Sequence, residues 1–293
     1  MVESFLKYLQ FEKRYSPRTL ISYETDLRQF TGFLKSTYHE EDAAQANHAM
    51  IRSWVVSLVD QKLDSRSINR KIACLRSFYK FCLRQEAIDK DPMTKVRILK
   101  TSKKLPHFVH EEDMNRLLDH VDFGNDLKGT RERLIIELFY GTGIRLSELI
   151  GLKERNLNIR EQTIKVLGKR NKERVIPFSR GIVPAIESYL KERNKAVEHK
   201  DHGLLFVGDK GQPLYPVMVY KVVKKYLDQF TSVEKRSPHV LRHSFATHLL
   251  NKGAEINAVK DLLGHTSLAA TQVYTHNSME KLKKVFDQAH PKA

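Results

Sequence analysis

A set of basic and hydroxyl side chains in the C-terminal half of the chain has the types needed to bind and break a phosphodiester. They are Arg145 in GTGIRLSEL, Lys169 in LGKRNKERVIPF, His239 and Arg242 in HVLRHSFATHLL, His265 in LLGH and Tyr274 in QVYTH. Guanidinium groups offer planar, paired donors to phosphate oxygens. Histidine can donate to the same oxygens or move a proton, and lysine can protonate a leaving oxygen. A tyrosine becomes a useful nucleophile once such cations lower its pKa.

The local spacing indicates how these side chains are held. Two glycines precede Arg145 and permit unusual backbone angles and a close approach of another segment. Glu148 lies three residues after Arg145 on the same helical face, so its carboxylate could orient the guanidinium. His239 and Arg242 have the same spacing, which makes them neighbours on one helical face. His265 follows a glycine that ends a helix, so it is expected in a turn.

Signatures of several other enzyme classes are missing from the sequence. It has no P-loop, no dinucleotide-binding glycine fingerprint, no HExxH and no Gly-x-Ser-x-Gly elbow. His239 and His243 have a spacing compatible with a metal pair, but a supporting cysteine or carboxylate is missing at any recognisable distance. A carboxylate cluster for Mg²⁺ is missing too. We therefore expect neither a metal ion nor another cofactor, and phosphoryl transfer that relies on positioning and electrostatics.

The six residues also resemble, in order and approximate spacing, the signature set of the tyrosine recombinases. The resemblance covers the whole chain: the first hundred residues resemble the helical core-binding domain, and the remainder resembles the catalytic domain. Within the family the chain is similar to the Xer branch, which resolves chromosome dimers in bacteria, and its last four residues resemble the end of a Xer protein. Arg170 departs from the pattern, because Xer proteins often have glycine after the hairpin lysine.

The resemblance implies a mechanism. Tyr274 would attack the scissile phosphate, giving a 3′-phosphotyrosyl link and a free 5′-hydroxyl. His239 would assist proton transfer, and Lys169 would protonate the leaving 5′-oxygen. The phosphate would be held by Arg145, Arg242 and His265. The 5′-hydroxyl of a partner strand would then attack the phosphotyrosine, so that neither ATP nor a metal ion is required.

The resemblance also implies partners. Family members act as four protomers on two double-stranded DNA sites with inverted half-sites, and they form and resolve a Holliday junction. The assembly is expected to be a homo-oligomer or a heterotetramer with a second recombinase, with a septal DNA translocase as a further partner. The alternative is an integrase of a phage or mobile element, which often carries an additional N-terminal arm-binding domain. More remote alternatives are a type IB topoisomerase and a DNA-binding protein without catalysis.

The elements that position these residues fall into two expected domains. A chain of 293 residues suits two domains, and its net charge of +16 is spread over both of them, which favours a polyanion such as nucleic acid as partner. We expect a mainly α fold, with a helical core-binding domain at 1–90, a basic linker at 91–106 and a mostly helical catalytic domain at 107–293. A tail at 279–293 is expected to dock on a neighbouring protomer.

The core-binding domain is predicted to contain four helices. Ser16 and Pro17 form a helix start, and apolar residues recur at helical spacing in each of the four segments. Basic residues that lie off these apolar stripes are expected to be solvated, and Lys71 is among them. Those expected to contact DNA are Arg14, Arg18, Arg28, Arg66, Arg70, Arg76 and Lys80.

The catalytic domain is predicted to contain one small antiparallel sheet. TIKVL and ERVIPF read as a β-hairpin around the loop that carries Lys169, and helices are expected near 182–198, 216–230, 239–251, 256–263, 267–273 and 279–289. The sequence has no apolar run long enough to span a membrane and no signal peptide, so we expect a cytoplasmic protein. Cys74 and Cys82 are expected to be buried, unpaired thiols.

Overall fold

The computed structural model describes residues 1–101, 107–168, 173–197, 203–264 and 288–289. The chain divides into two compact units, Met1–Lys104 and Leu105–Ala293. The first unit is helical, and the second combines helices with one small sheet. The predicted fold class, mainly α with a small antiparallel sheet, is confirmed.

The first unit is built from four α-helices. They are α1 (Val2–Lys7), α2 (Pro17–Tyr38), α3 (His48–Asp60) and α4 (Ser65–Arg84). The predicted start of α2 is confirmed, because the Ser16 side chain accepts a hydrogen bond from the Thr19 amide and Pro17 occupies the first turn. A proline in this position loses nothing, since the first amides of a helix have no partner within it.

The core of the first unit is aromatic and contains the chain's single tryptophan. Trp54 of α3 lies against Phe30 of α2, with 4.9 Å between ring centroids, and both side chains are buried. Cys74 and Cys82 of α4 are free and buried, as predicted. Burial raises the pKa of the Cys74 thiol to about 12 and that of Cys82 to about 11, so both thiols are protonated and inert at neutral pH.

The first part of the segment predicted as a linker belongs to the first unit. Val96 is buried in that unit's core, and its carbonyl accepts a hydrogen bond from Arg76 Nη2 at 2.6 Å. Asn69 of α4 exchanges two hydrogen bonds with the backbone of Leu99, at 2.8 and 2.9 Å. Residues up to Leu99 therefore extend the packed unit, although their sequence lacks a helical apolar stripe.

The prediction that Lys71 is solvated is wrong. Its side chain is buried, and its ammonium group donates to Asp26 Oδ1 at 2.8 Å and to the Gln29 side chain. The buried Asp26 carboxylate of α2 also binds Arg70, which reaches it from the protein surface. A carboxylate at the interface between α2 and α4 thus makes it possible to bury a lysine that the apolar pattern alone places outside.

The second unit contains seven α-helices and three strands in the part that the structure describes. The helices are α5 (Glu111–His120), α6 (Leu127–Thr142), α7 (Leu146–Ile150), α8 (Val183–Ala196), α9 (Pro216–Phe230), α10 (Pro238–Asn251) and α11 (Ile256–Leu263). The strands β1 (Leu157–Asn158), β2 (Thr163–Leu167) and β3 (Glu173–Pro177) form an antiparallel sheet in that order. The predicted hairpin of β2 and β3 is confirmed, and β1 is an additional short strand.

Helix α6 lies at the centre of the second unit. Sequence periodicity predicts one apolar stripe for it, but α8, α9 and α10 all pack against it and bury nearly every side chain from Gly129 to Thr142. The buried charged groups of α6 are paired; for example, Glu132 accepts hydrogen bonds from Tyr226 and Lys225. This surrounded helix ends at Thr142, three residues before Arg145, so it provides a rigid support for that side chain.

The C-terminal tail is described at two positions only. Ala289 is buried in an apolar cluster formed by α10 and α11 of its own unit, which includes Phe245 and Leu262. The helix predicted near 267–273 and the rest of the one predicted at 279–289 lie outside the described residues. Of the helices that the structure does describe, none is both long and apolar enough to cross a lipid bilayer.

The buried ion pair of the first unit gives a testable prediction. Asp26→Ala would leave the Lys71 ammonium buried without its carboxylate, and breaking such a pair costs about 3–5 kcal/mol. We expect a matching loss in the free energy of unfolding, measured by urea denaturation of the full chain and followed by the fluorescence of Trp54. Glu24→Ala removes an exposed carboxylate from the same helix and serves as the control. Equal stability of the two variants would contradict the structural importance of this pair.

Candidate active site

The two glycines before Arg145 serve different purposes. Gly143 ends α6 in the left-handed conformation with φ of +60°, and a Cβ atom there would lie 2.6 Å from the Phe245 ring. Gly141 has ordinary helical geometry, but a Cβ atom would lie 2.5 Å from the Ile182 side chain. Gly143 therefore provides both the turn into α7 and a close approach of α10, whereas Gly141 provides close packing alone.

Arg145 and Glu148 are held together at the start of α7. Arg145 is the residue that precedes the helix, and its backbone amide donates to Glu148 Oε2 at 2.8 Å. Its guanidinium donates through Nη1 to Glu148 Oε1, also at 2.8 Å. The Arg145 side chain keeps 26% of its surface exposed while Glu148 is buried, so the carboxylate holds a side chain that stays partly accessible to solvent.

Sequence reasoning missed a third member of this cluster, Arg174 of β3. Its guanidinium binds both oxygens of Glu148, with Nη2 to Oε2 at 2.8 Å, and the residue is 5% exposed. A signal for it existed in the alternation of β3, where Arg174 and the buried Ile176 share the inward face. A charged residue at an inward position of a strand requires a buried partner, and Glu148 provides it.

The carboxylate and the arginines influence one another's ionisation. Burial raises the pKa of Glu148, but its hydrogen bonds and charge interactions with Arg174 and Arg145 outweigh burial and hold the pKa below the ordinary value. Burial and the positive charges of Arg145 and Arg174 lower the pKa of Arg242 to about 9, and the negative charge of Glu148 opposes that change. Glu148 therefore offsets part of the repulsion that Arg242 experiences from its two cationic neighbours.

The three arginines also converge on the end of α11. Backbone carbonyls there each accept a hydrogen bond from a different guanidinium: Leu262 from Arg174 at 3.3 Å, Leu263 from Arg242 at 2.5 Å and Gly264 from Arg145 at 2.8 Å. The last carbonyls of a helix lack partners within the helix and carry partial negative charge, so they suit cationic donors. His265 is the next residue in the chain.

The structure thus brings Arg145, Glu148 and Arg242 together and places His239 on the same helix as Arg242. Arg242 is buried within α10 and also donates to the Gly143 carbonyl. His239 lies exposed in the first turn of that helix. The remaining predicted site residues, Lys169, His265 and Tyr274, lie outside the described residues.

The arrangement is suited to holding an oxyanion. Two guanidinium groups bind one carboxylate, and backbone carbonyls fix the orientation of these two and of Arg242 beside them. The Arg145 side chain remains partly exposed. Such preorganised donors stabilise developing negative charge more effectively than mobile ones. Within the described ranges, no group of three or more histidine, cysteine, aspartate or glutamate side chains is placed to hold a metal ion.

Comparison with protein families identifies the same two parts of the chain. The phage integrase family matches residues 107–281, and the phage integrase N-terminal SAM-like domain matches residues 2–86. Tyrosine recombinase XerC of Halalkalibacterium halodurans is 38% identical, with the alignment covering 100% of this chain and 97% of that protein. Tyrosine recombinase XerC of Staphylococcus carnosus is 40% identical, over 99% of this chain and 97% of that protein.

Solved structures share the fold. XerH site-specific recombinase bound to a palindromic difH substrate, in a post-cleavage complex, has a TM-score of 0.73 at 23% identity, covering 97% of this chain and 83% of that chain. The Tn1549 transposon integrase in complex with circular intermediate DNA has a TM-score of 0.70 at 20% identity, covering 96% and 97% respectively. At these identities the likeness concerns the architecture: a helical N-terminal domain followed by a mostly helical domain with a small sheet.

Glu148 gives a pH-dependent prediction. Because its folded pKa lies below the unfolded value of about 4.3, the charged carboxylate stabilises the folded chain above that value. The contribution is lost as the pH falls through the lower, folded pKa. We expect Glu148→Gln to cost about 3–5 kcal/mol near pH 7, because two arginines lose their anionic partner, and to cost less at pH values below about 4.

The measurement is differential scanning calorimetry of the full chain from pH 3 to pH 8, with Trp54 fluorescence identifying the transition of the first unit. Glu187→Gln, which changes an exposed carboxylate on α8, is the matched control. A stability deficit of Glu148→Gln that stays constant down to pH 3 would show that the carboxylate does not act through its charge.

Proposed function

The chain belongs to the phage integrase family and is a Xer-type site-specific tyrosine recombinase, and from this we propose that it resolves chromosome dimers at cell division. The observation that carries the proposal is sequence identity. The chain is 35–40% identical to proteins named tyrosine recombinase XerC, over essentially the full length of this chain and of each relative. Integration of a phage or mobile element is the alternative. The likeness to a transposon integrase does not favour it, because at 20% identity that likeness concerns the fold.

In the proposed reaction, the energy of the broken phosphodiester bond is kept in a covalent bond between the protein and the DNA. The Tyr274 hydroxyl loses its proton and attacks the scissile phosphorus, forming a 3′-phosphotyrosyl bond while the bond to the 5′-oxygen breaks. Lys169 gives a proton to that oxygen, and His239 assists the proton transfers. A 5′-hydroxyl from the partner strand then displaces Tyr274. Two such exchanges form and resolve a Holliday junction without ATP or a metal ion.

Arg145 and Arg242 are proposed to hold the phosphate, together with His265. Negative charge grows on the non-bridging oxygens during attack, so guanidinium donors fixed in advance lower the barrier. Glu148 supports them as a positioning residue, because it fixes the Arg145 side chain and opposes the lowering of the Arg242 pKa. The buried carboxylate thereby keeps two cations in one small site.

The first unit is proposed to contact DNA through its basic surface. Arg14, Arg18, Arg28, Arg66, Arg70 and Lys80 are exposed. Arg70 is anchored to Asp26, and Arg76 is half-buried and donates to the Val96 carbonyl, so these two have less freedom to reach a phosphate. Contacts from exposed lysine and arginine to phosphates would make binding strongly dependent on salt.

The proposed assembly is a set of four protomers on two DNA duplexes in the cytoplasm, each duplex with inverted half-sites. The four are copies of this chain, or this chain and a second recombinase, with a septal DNA translocase as activator. The tail at 279–293 is proposed to dock on the neighbouring protomer. Within one chain, Ala289 is buried in the apolar cluster of α10 and α11. The same cluster on a neighbouring protomer would offer an equivalent binding site for the tail.

The nucleophile gives the first prediction of this proposal. We expect Tyr274→Phe to bind a half-site with wild-type affinity but to form no covalent complex with a nicked duplex from which the cleaved end diffuses away. The wild-type chain should form that complex in excess EDTA, because no step uses a metal ion. Denaturing gel electrophoresis of labelled DNA measures both results.

Tyr38→Phe is the matched control for the nucleophile, since this tyrosine lies partly exposed at the end of α2. It should form the covalent complex at the wild-type rate. Adduct formation by Tyr274→Phe at the wild-type level would remove Tyr274 as the nucleophile. Loss of wild-type cleavage in EDTA, with recovery on addition of Mg²⁺, would reject the metal-independent mechanism.

The tail gives the second prediction. Deletion of residues 279–293 should leave binding of one protomer to a half-site largely intact but weaken cooperative binding of the second protomer, by about tenfold or more if docking contributes about 1.4 kcal/mol. Band-shift titration on a duplex with two half-sites measures this cooperativity. Unchanged cooperativity together with a lower melting temperature would instead show that the tail serves only its own unit.

A further inference from the structure

We propose that Arg174 is a positioning residue for DNA cleavage, which locks the Glu148 carboxylate to the end of α11 so that Arg145 and Arg242 meet the scissile phosphate in a fixed geometry. The inference rests on the proposed roles of Arg145 and Arg242. Arg174 itself is not proposed to touch the phosphate, because its guanidinium is buried and committed to protein partners.

The first observation is the number and direction of the Arg174 hydrogen bonds. Its two terminal nitrogens bind both oxygens of Glu148, and its Nε donates to the Leu262 carbonyl at 3.3 Å. The same Glu148 oxygens bind the backbone amide and the guanidinium of Arg145. Arg174 therefore joins the Glu148 carboxylate to the end of α11, and it does so from a buried position, whereas Arg145, which makes the same link, remains partly exposed.

The second observation is the close contact between Arg174 and Gly264. Gly264 has φ of +62°, and a Cβ atom built there would lie 3.0–3.2 Å from the Cδ, Nε and Nη1 atoms of Arg174. The glycine thus allows both the left-handed end of α11 and the passage of the Arg174 side chain beneath it. The carbonyl of the same glycine accepts from Arg145, so the two arginines contact one residue from different directions.

The third observation is the position of this contact along the chain. Arg174 is the second residue of β3, five residues after Lys169, and Gly264 directly precedes His265. The contact between Arg174 and α11 therefore joins two places in the fold. One is the start of β3, which follows Lys169, and the other is the end of α11, which precedes His265. A shift at Arg174 would displace Glu148, the end of α11 and the orientation of Arg145 at once.

Burial alone does not explain the choice of arginine here. A lysine would keep the positive charge but could not bind both carboxylate oxygens and a carbonyl with one planar group. Arg193 of α8 is a comparable residue in the same unit, because it is also buried and donates to the Leu205 carbonyl and to Glu154. It binds none of the proposed site residues, which makes it the matched control.

The experiment compares Arg174→Lys and Arg193→Lys in the full chain. Half-site affinity is measured by band shift, and single-turnover formation of the covalent complex is measured on the nicked duplex. We expect Arg174→Lys to bind within about threefold of wild type and to cleave about 10²-fold more slowly, a loss typical of misplaced catalytic groups. Arg193→Lys should cleave within about threefold of wild type even if its melting temperature falls.

A second substrate separates positioning from general structural damage. Replacing one non-bridging oxygen of the scissile phosphate by a methyl group gives a neutral phosphonate, on which guanidinium groups have less charge to stabilise. The cleavage defect of Arg174→Lys, relative to wild type, should shrink by about tenfold or more on this substrate. A purely structural role would leave the defect equal on both substrates, and that result would overturn the proposal.

A second variant keeps the proposal testable if Arg174→Lys does not fold. Gly264→Ala retains every arginine but places a methyl group against Arg174, and it should show the same substrate-dependent defect. Wild-type rates in a folded Arg174→Lys variant would overturn this inference while leaving the recombinase function intact. Failure of the wild-type chain to form a covalent complex on any paired half-sites would overturn the proposed function and this inference together.

Discussion

The architecture of the site depends on one buried negative charge. Glu148 binds the guanidinium groups of Arg145 and Arg174, and its charge opposes the lowering of the Arg242 pKa that these two cations produce. Without a carboxylate among them, three guanidinium groups so close together would repel one another and lose their common geometry. A site proposed to bind an anionic phosphate is therefore organised around a carboxylate of its own, whose pKa its arginine neighbours lower.

Backbone geometry determines where these charges meet. Gly143 and Gly264 both adopt the left-handed conformation at the ends of α6 and α11. Gly143 lies so close to Phe245 and Leu263 that a side chain would not fit, which brings the start of α7, helix α10 and the end of α11 together. The carbonyls freed at the end of α11 then receive the three guanidinium groups. The close packing at Gly143 and Gly264 thus fixes where α11 ends, and the carbonyls at that end fix how the three arginines are oriented.

Much of this could be predicted from the sequence where the signal is local. The cap at Ser16, the hairpin of β2 and β3 and the three-residue spacing of Arg145 and Glu148 depend on neighbours in the chain. Burial of Lys71 could not be predicted in the same way, because its partner Asp26 lies on another helix. The alternation of β3 indicates an inward Arg174 but not its partner, because Glu148 lies on a different element of the fold. The attachment of residues up to Leu99 to the first unit likewise depends on distant partners, because Asn69 precedes Leu99 by 30 residues and Arg76 precedes Val96 by 20. Charged residues with distant partners are the feature that periodicity does not reveal.

We propose that the arginine cluster is assembled before DNA arrives and is used without rearrangement. The most direct test is a crystal structure of the full-length chain joined covalently to its nicked DNA site. We expect Arg145 and Arg242 to donate to the phosphate bound to Tyr274 while Glu148 and Arg174 keep both of their mutual hydrogen bonds. Arginines directed away from the phosphate, or a Glu148 carboxylate separated from Arg174 in that complex, would contradict it.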